Sequence, residues 1–256
     1  MTLPTFLIAG AQKCGTTSLA GAVRKHPEVH LSRRKELHFF DRRFDRGLDW
    51  YESQFTPKRH HTQVGEATPA YMYDAAARER LTKTLPDARI VIILRNPVDR
   101  AYSHYWHKRR LGDEPLPTFE EAIAAEPERR ARDAVRARIG FAYVDRGHYI
   151  DQIEDLVARH DRELVHVLLL DDLVGDRVAT MRSLLEFLDV DPGPAETLEV
   201  RKRNPYRVTT DEGTTESVEY TPMSPETRAR LTDVYAGSNA RLAEFLGRDL
   251  SAWQQP

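Results

Sequence analysis

The sequence predicts an α/β protein with a mainly parallel sheet flanked by helices. Residues 6–9 and 90–94 form short apolar runs, and the second run, IVIIL, is rich in β-branched residues, as is typical of parallel strands covered on both faces. Segments with helical spacing alternate with such runs, which is typical of parallel sheets built from crossover units. The chain has 256 residues, 40% hydrophobic and 30% charged, which suits one globular domain over residues 1–256.

Local signals place the elements of the first half of the chain. Pro27 ends the helix that follows the first strand, because proline cannot continue a helix. Pro97 fits the first turn of another helix, where its missing N–H group is tolerated. The sequence therefore predicts a strand at residues 6–9, a helix at 16–25, a strand around Val64 that leads into Glu66, a strand at 90–94 and a helix from Pro97 to about Arg110.

The second half contains further helices and one more strand. Thr118 followed by Glu121 fits a capping box at the start of a helix. Residues 192–222 show little periodicity, and we expect a long loop there, of the kind that ordered proteins often use for function. The sequence also predicts a helix at 149–158, a strand at 165–170, an amphipathic helix marked by Val178, Met181, Leu184, Leu185 and Leu188, and a last helix at 225–246.

Composition and charge argue against several classes of protein. The formal net charge of −2 argues against a broad nucleic-acid-binding surface, so we expect no nucleic-acid partner. Cys14 is the only cysteine, which excludes an internal disulfide and a cysteine-based metal cage. The apolar runs are too short to span a bilayer and the first residues lack the basic region of a signal peptide, so the sequence suggests a cytoplasmic protein. The oligomeric state does not follow from the sequence.

The segment GAQKCGTT near the N-terminus is the first candidate site. Gly10 and Gly15 keep the spacing of the phosphate-binding G-x-x-x-x-G-K-[ST] loop, but Thr16 stands where that loop has its lysine. The glycines allow a sharp turn after a strand, and the helix that opens with residues 16–18 favours an anion at its positive end. Lys13 adds a positive charge within the loop. These features predict a phosphate or sulfate site, and an ordinary strand–turn–helix is the alternative.

A second basic element follows the strand at residues 90–94. Ligands of α/β folds bind at the carboxyl ends of parallel strands, and Arg95 stands at that end. Its guanidinium can form a fork to a phosphate, and Ser103 in the following helix can add a hydroxyl. A strand-end ion pair is the alternative for Arg95, whereas Asp99 and Arg100 are expected to cap the helix or to make structural pairs.

Five segments carry a resemblance to a known family, in matching order and approximate spacing. They are FLIAGAQKCGTTSLAGAVRKHPEV from residue 6, KELHFFD from 35, GLDWY from 47, GEATPAY from 65 and ILRNPVDRAYSHYWH from 93. Together they resemble the sulfotransferases that use 3′-phosphoadenosine 5′-phosphosulfate (PAPS), with the look of the heparan sulfate N- and O-sulfotransferase branch. The resemblance implies a P-loop-like fold of the sulfotransferase type, and it is weak beyond about the first 110 residues.

The resemblance also implies roles for particular residues. Arg95 and Ser103 match positions that hold the 3′-phosphate, and the glycine loop is expected to bind the 5′-phosphosulfate. Glu36 matches the acidic residue taken as the catalytic base in the heparan branch, and His38 matches a histidine that lines the site in some O-sulfotransferases. The product is then adenosine 3′,5′-bisphosphate (PAP), and no metal is expected. The loop residues concerned are Gly10, Gln12, Lys13, Cys14, Gly15, Thr16, Thr17 and Ser18.

The chemistry of sulfo transfer agrees with these residue types. An acceptor hydroxyl or amine loses a proton as it attacks sulfur, so a nearby carboxylate such as Glu36 helps by on the order of 10²–10⁴ in rate. Negative charge builds on the departing oxygen, where Lys13 and the loop amides can stabilise it, and one such donor supplies about 3–4 kcal/mol. The acceptor is expected to be a carbohydrate or a small molecule, whose identity the sequence does not give.

Two departures from the family pattern stand out. Ala67 in GEATPAY occupies a position where several relatives carry a lysine. Late in the chain, VRKRNPYR supplies Lys202 and Arg203, either of which could close over the cofactor, but the segment lacks the glycine usual in such loops.

Two other functions compete with the sulfotransferase. A P-loop kinase with a degenerate loop is the first, because the strand at 165–170 is followed by Asp171 and Asp172, as in a magnesium-binding site. The missing lysine after Gly15 opposes it. A nucleotide-sensing module without activity is the second, and the joint presence of Lys13, Glu36 and Arg95 makes it the weaker alternative.

Overall fold

The computed structural model describes residues 2–133, 140–200, 207–209, 215–217 and 222–255. Contacts within the chain divide it into two compact units, residues 1–95 with 152–203 and residues 96–151 with 204–256. The single domain over residues 1–256 stays a prediction. The first unit contains the sheet, and the second is built mainly from helices.

The first unit is organised by a five-stranded sheet in which every paired strand is parallel. The order of the strands is β2-β3-β1-β4-β5, so β1 lies in the middle with β3 and β4 beside it. All residues of β1 and nearly all of β4 are buried, as expected for central strands covered on both faces. The strands are β1 (Phe6–Gly10), β2 (Val29–Leu31), β3 (Gln63–Ala67), β4 (Arg89–Leu94) and β5 (Val165–Leu169).

Helices connect these strands and make up most of the second unit. The helices are α1 (Thr16–Val23), α2 (Phe39–Arg42), α3 (Gly47–Glu52), α4 (Ala75–Thr84), α5 (Pro97–Arg110), α6 (Phe119–Ala124), α7 (Glu126–Arg132), α8 (Tyr149–Val157), α9 (Leu170–Gly175), α10 (Arg177–Phe187) and α11 (Pro225–Leu246). Short 3₁₀ turns lie at Phe44–Arg46, Asp145–Gly147, Arg162–Leu164, Gly193–Glu196 and Ser251–Gln254.

The second unit has its own apolar core. Tyr105 of α5, Phe119 of α6 and Tyr235 of α11 pack together in it with Tyr143. Two short antiparallel strands, β6 (Arg207–Thr209) and β7 (Thr215–Ser217), also belong to this unit.

The predicted fold class is confirmed, and so are most of the predicted elements. The capping box is present, because the Glu121 amide donates to Thr118 Oγ1 at 3.2 Å and the Thr118 amide donates to Glu121 Oε2 at 3.3 Å. The helix α5 has the predicted bounds of Pro97–Arg110. The helix α1 ends at Val23, two residues before the predicted end, so the prediction was wrong at that end.

The predicted loop at residues 192–222 was also partly wrong. Its described part contains a 3₁₀ turn and the strands β6 and β7. Strands of three residues are too short to show a period-2 pattern, which explains why the sequence did not reveal them. The three-residue strand β2 and the four-residue helix α2 were missed for the same reason.

Candidate active site

The glycine loop follows β1 directly and depends on both of its glycines. A Cβ atom on Gly10 would lie 2.4 Å from Met72 Sδ, so any side chain there collides with the segment that follows β3. Gly15 has a φ of 92° and Lys13 a φ of 71°, so two loop residues adopt the left-handed region. That region is readily adopted by glycine and uncommon for lysine. The two positive φ values turn the backbone sharply, so the loop is not extended.

The loop presents the N-terminal end of α1. The Ala11 amide donates to the Ile93 carbonyl at 2.9 Å, and the Cys14 amide donates to the Ala11 carbonyl at 3.2 Å, so the first part of the loop is tied to β4 and to itself. Within the described residues, no side chain caps α1, whose N-cap is Gly15. The Ser18 amide donates to the Gly15 carbonyl at 2.9 Å, whereas the very first amides of a helix have no intrahelical acceptor, and together with the helix dipole they favour an anion.

The remaining loop residues differ in exposure. Cys14 is fully buried and forms no disulfide, and Thr16 is buried, whereas Gln12, Thr17 and Ser18 are partly exposed. The Oε1 atom of Gln12 is itself buried, and it has no hydrogen-bond partner among the described residues. Gln12 therefore carries a polar atom that a donor from outside the described chain could satisfy.

The two predicted 3′-phosphate residues lie in different units. Arg95 ends the first segment of the first unit, directly after β4, and it is partly buried. Because β1 and β4 are parallel neighbours, Arg95 and the glycine loop follow carboxyl ends of adjacent strands. Ser103 lies in α5, in the second unit, and is partly exposed. Lys202 and Arg203 lie outside the described residues.

The turn that contains Glu36 and His38 lies at the same edge of the sheet. The Glu36 amide donates to the carbonyl of Ala67, the last residue of β3, at 2.9 Å. Strand β3 pairs with β1 in parallel, with Ala67 opposite Ile8, so this turn and the glycine loop follow neighbouring strand ends. Glu36 and His38 both adopt the left-handed region, with φ values of 60° and 53°.

Glu36 and His38 contact each other and further charged groups. His38 Nε2 lies 3.6 Å from Glu36 Oε2, and His38 Nδ1 lies 2.8 Å from Asp41 Oδ2. Lys35 pairs with the other oxygen of Glu36. The imidazole of His38 therefore bridges two carboxylates, and Glu36 is flanked by two cations when His38 is protonated.

These contacts shift the pKa values of both residues. The contact with His38, with Lys35 adding to it, outweighs partial burial and lowers the pKa of Glu36 to about 2. Burial lowers the pKa of His38, but the contacts with Asp41 and Glu36 are together stronger and raise it above 6.5. Glu36 is consequently an ionised carboxylate near neutral pH, which is the form that accepts a proton.

Asp41 is a site residue that the sequence reasoning missed. It stands three residues after His38, at the start of α2, which is the spacing that lets two side chains meet on one helical turn. Its carboxylate is nearly buried, and one of its oxygens holds the imidazole. The segment KELHFFD contained this signal, because His38 and Asp41 share that segment.

The residues of the kinase alternative belong to no cluster of three or more potential metal ligands within the described chain. Asp171 and Asp172 lie in the first turn of α9, which begins directly after β5. No group of three or more histidine, cysteine, aspartate or glutamate side chains in the described ranges has the arrangement of a metal site.

The fold and the edge of the sheet define a class: a parallel α/β protein whose glycine loop after β1 leads into a helix that favours an anion. A family model described as the sulfotransferase domain matches residues 3–228, so the chain belongs to the sulfotransferase family. The comparison places the chain among transferases that move sulfo groups, and it does not favour the kinase alternative.

Relatives and solved structures agree with this family. The chain is 31% identical to a sulfotransferase from Alicyclobacillus acidocaldarius of known crystal structure, with all of both chains covered and a TM-score of 0.81. It is 30% identical to the human bifunctional heparan sulfate N-deacetylase/N-sulfotransferase 3 over 98% of this chain, although it spans 31% of that protein's length. The mouse sulfotransferase SULT7A1, complexed with PAP, shares the fold at 18% identity and a TM-score of 0.50, over 76% of this chain and 62% of that one. The P-loop-like fold expected from the resemblance is thus confirmed.

A helix that crosses a membrane needs about 20 mainly apolar residues, which sets the requirement for the helices in the described ranges. None of them is both long enough and apolar enough to span a bilayer.

Proposed function

We propose that this chain transfers the sulfo group of PAPS to a hydroxyl or amine of a carbohydrate or small-molecule acceptor. The observation that carries the proposal is the common edge of β1 and β3, where the glycine loop and the ionised Glu36 follow adjacent strand ends. Membership of the sulfotransferase family and the PAP-bound relative support the choice of cofactor.

The residues of the loop fit a phosphosulfate group. The start of α1 offers backbone amides to an anion, and Lys13 lies in the loop that leads directly into this helix. Arg95, at the end of the neighbouring strand, is suited to hold a second phosphate through its planar guanidinium. Thr16, Thr17 and Ser18 add hydroxyls in the first turn of α1. Ser103 is proposed as a further ligand of the 3′-phosphate, with Lys202 or Arg203 as a late cation over the cofactor.

Glu36 is the proposed general base. When bound, PAPS supplies the sulfo group and departs as PAP as the bridging S–O bond breaks. The acceptor O–H or N–H gives its proton to the Glu36 carboxylate while its oxygen or nitrogen forms the new bond to sulfur. Lys13 and the loop amides stabilise the charge on the departing oxygen, and His38 holds the Glu36 carboxylate in its ionised form.

Binding of the cofactor is the first test of this function. Calorimetric titration of the purified protein with PAP in the absence of magnesium should show binding, and Arg95→Ala should weaken it. Titration with ATP provides the contrast: binding of ATP only in the presence of magnesium, with no binding of PAP, would contradict the proposal and favour the kinase.

Turnover is the second test, and it separates Glu36 from the cofactor residues. Glu36→Gln should keep the affinity for PAP and lower the rate of sulfo transfer to an acceptor found by screening sugars and small phenols with radiolabelled PAPS. Undiminished turnover in Glu36→Gln would remove this residue from the mechanism. The cytoplasmic location is part of the proposal, and fractionation of the native cells tests it.

A further inference from the structure

A buried carboxylate lies beneath the turn that carries Glu36 and His38. Glu66 of β3 is fully buried, and three hydroxyl groups donate to its two oxygens. Tyr51 and Tyr71 donate to Oε1 at 2.6 and 2.9 Å, and Thr68 donates to Oε2 at 2.7 Å. Burial raises the pKa of Glu66, although the three hydroxyl hydrogen bonds oppose that rise. The proposed reaction leaves this network without a role.

The three hydrogen bonds of this network all run from a hydroxyl group to Glu66. An ionised carboxylate only accepts hydrogen bonds, so with Glu66 ionised each of the three hydroxyls points its hydrogen at Glu66. The lone pairs of these hydroxyl oxygens then face away from Glu66 and can accept from other donors. Two of them do: Tyr71 Oη accepts from the Phe39 amide at 2.8 Å, and Thr68 Oγ1 accepts a longer contact from the His38 amide at 3.5 Å.

These two amides lie at the point where the turn that carries Glu36 and His38 enters α2. His38 is the N-cap of α2 and adopts the left-handed region, and its own side chain does not cap this helix. A non-glycine residue keeps such a conformation only where its surroundings fix it. The hydroxyls of Tyr71 and Thr68 therefore hold the two amides on either side of the His38 Cα atom. Arg43 and the Arg42 amide hold the carbonyls of the same two peptides.

We propose that Glu66 is a positioning residue for the reaction: it orients Tyr71 and Thr68, which fix the backbone of His38 and Phe39 and so direct the imidazole toward Glu36 and Asp41. The proposal rests on the proposed function of Glu36 as the base. Glu66 itself touches neither substrate nor cofactor in this role. It acts through the turn.

Tyr71→Phe and Tyr51→Phe form a matched pair that isolates this role. Both changes remove a phenolic hydroxyl that donates to the same oxygen of Glu66, but only the Tyr71 hydroxyl also accepts from the Phe39 amide. A merely structural network predicts equal effects from the two changes. The positioning role predicts a larger effect from Tyr71→Phe. Glu66→Gln replaces one accepting oxygen at the centre of the network by a donor. This change should reproduce the larger effect of Tyr71→Phe.

The first readout is the titration of His38 by NMR in the whole protein without donor or acceptor. We expect the pKa of His38 to fall toward 6.5 in Tyr71→Phe and to stay raised in Tyr51→Phe, because only the first change releases the turn. The second readout is steady-state kinetics. A displaced catalytic group costs roughly 10²-fold in rate, so kcat should fall at least about tenfold further in Tyr71→Phe than in Tyr51→Phe, with the PAP affinity unchanged in both.

The outcomes separate the positioning role from the proposed function. An unchanged His38 titration in Tyr71→Phe, or an equal loss of kcat in both variants, would overturn the positioning role. If the wild-type protein transfers no sulfo group, or Glu36→Gln keeps its turnover, the proposed function fails, while the His38 titration still decides the role of Glu66. Thr68→Val removes the oxygen that faces the His38 amide, and it takes the place of Tyr71→Phe if that variant does not fold.

Discussion

His38→Asn is the change that tests the electrostatics of the proposed base most directly. Asparagine tolerates the left-handed region that His38 occupies, so the turn keeps its backbone. Its side chain is too short to replace an imidazole that reaches Asp41 at 2.8 Å on one side and Glu36 at 3.6 Å on the other. The variant therefore removes one cation from beside Glu36 and leaves Lys35 in place.

The expected magnitude follows from the causes of the Glu36 pKa. The hydrogen bond with His38 is the largest single influence that lowers this pKa from 4.5 to about 2, and the charge and the hydrogen bond of Lys35 lower it further. In His38→Asn the pKa of Glu36 should therefore rise, but it should stay below 4.5 because Lys35 still contacts the carboxylate. Titration of the Glu36 carboxyl carbon by NMR, assigned by comparison with Glu36→Gln, measures the change.

The pH dependence of the free energy of unfolding is an independent measure of the interaction between Glu36 and His38. The lowered pKa of Glu36 contributes stability that is present above 4.5 and is lost as the pH falls toward 2. The raised pKa of His38 contributes stability that is present below 6.5 and is lost as the pH rises through its raised value. Urea unfolding should thus show the largest difference between wild type and His38→Asn between pH 4.5 and 6.5. A difference that does not vary with pH, or a Glu36 pKa that stays at about 2, would refute this reasoning.

The remaining predictions concern the loop and the second unit. Gly10→Ala should lower the free energy of unfolding by about 1–3 kcal/mol and weaken PAP binding, because its Cβ would lie 2.4 Å from Met72 Sδ; urea unfolding and calorimetry measure both. Lys13→Ala should lower kcat by about 10²–10³, whereas alanine at the exposed Lys25 should leave it unchanged, as steady-state assays will show. Glu114→Gln should cost about 3–5 kcal/mol in urea unfolding, because it leaves a partly buried arginine without its bidentate carboxylate.

Much of the fold could be predicted because long elements carry their own signals. The strand IVIIL is apolar throughout, and α5 begins with a proline that fits its first turn. Elements of three or four residues, such as β2 and α2, contain less than one full period of any pattern. Tertiary contacts rather than local propensity define them, so the sequence alone could not place them.

The candidate site shows the same division between local and distant information. The glycine loop could be predicted because its spacing, its lysine and the start of α1 lie within nine residues of one another. The contacts of Glu66 could not be predicted, because Tyr51 lies 15 residues before it and Tyr71 lies 5 residues after it. Which hydroxyl meets a buried carboxylate depends on how β3, α2 and α3 pack, and no pattern along the chain encodes it.

The low pKa of Glu36 suits the proposed reaction. A carboxylate beside a phosphosulfate donor is exposed to like charge, which raises a pKa and favours the protonated, inactive form. His38 and Lys35 oppose this effect before any donor binds, because both contact the Glu36 carboxylate directly. Asp41 in turn raises the pKa of His38 and so keeps the imidazole cationic at higher pH. Two cations thus keep Glu36 ionised: His38, which Asp41 holds in its cationic form, contacts one oxygen, and Lys35 contacts the other. Both contacts must be lost before Glu36 has an ordinary pKa.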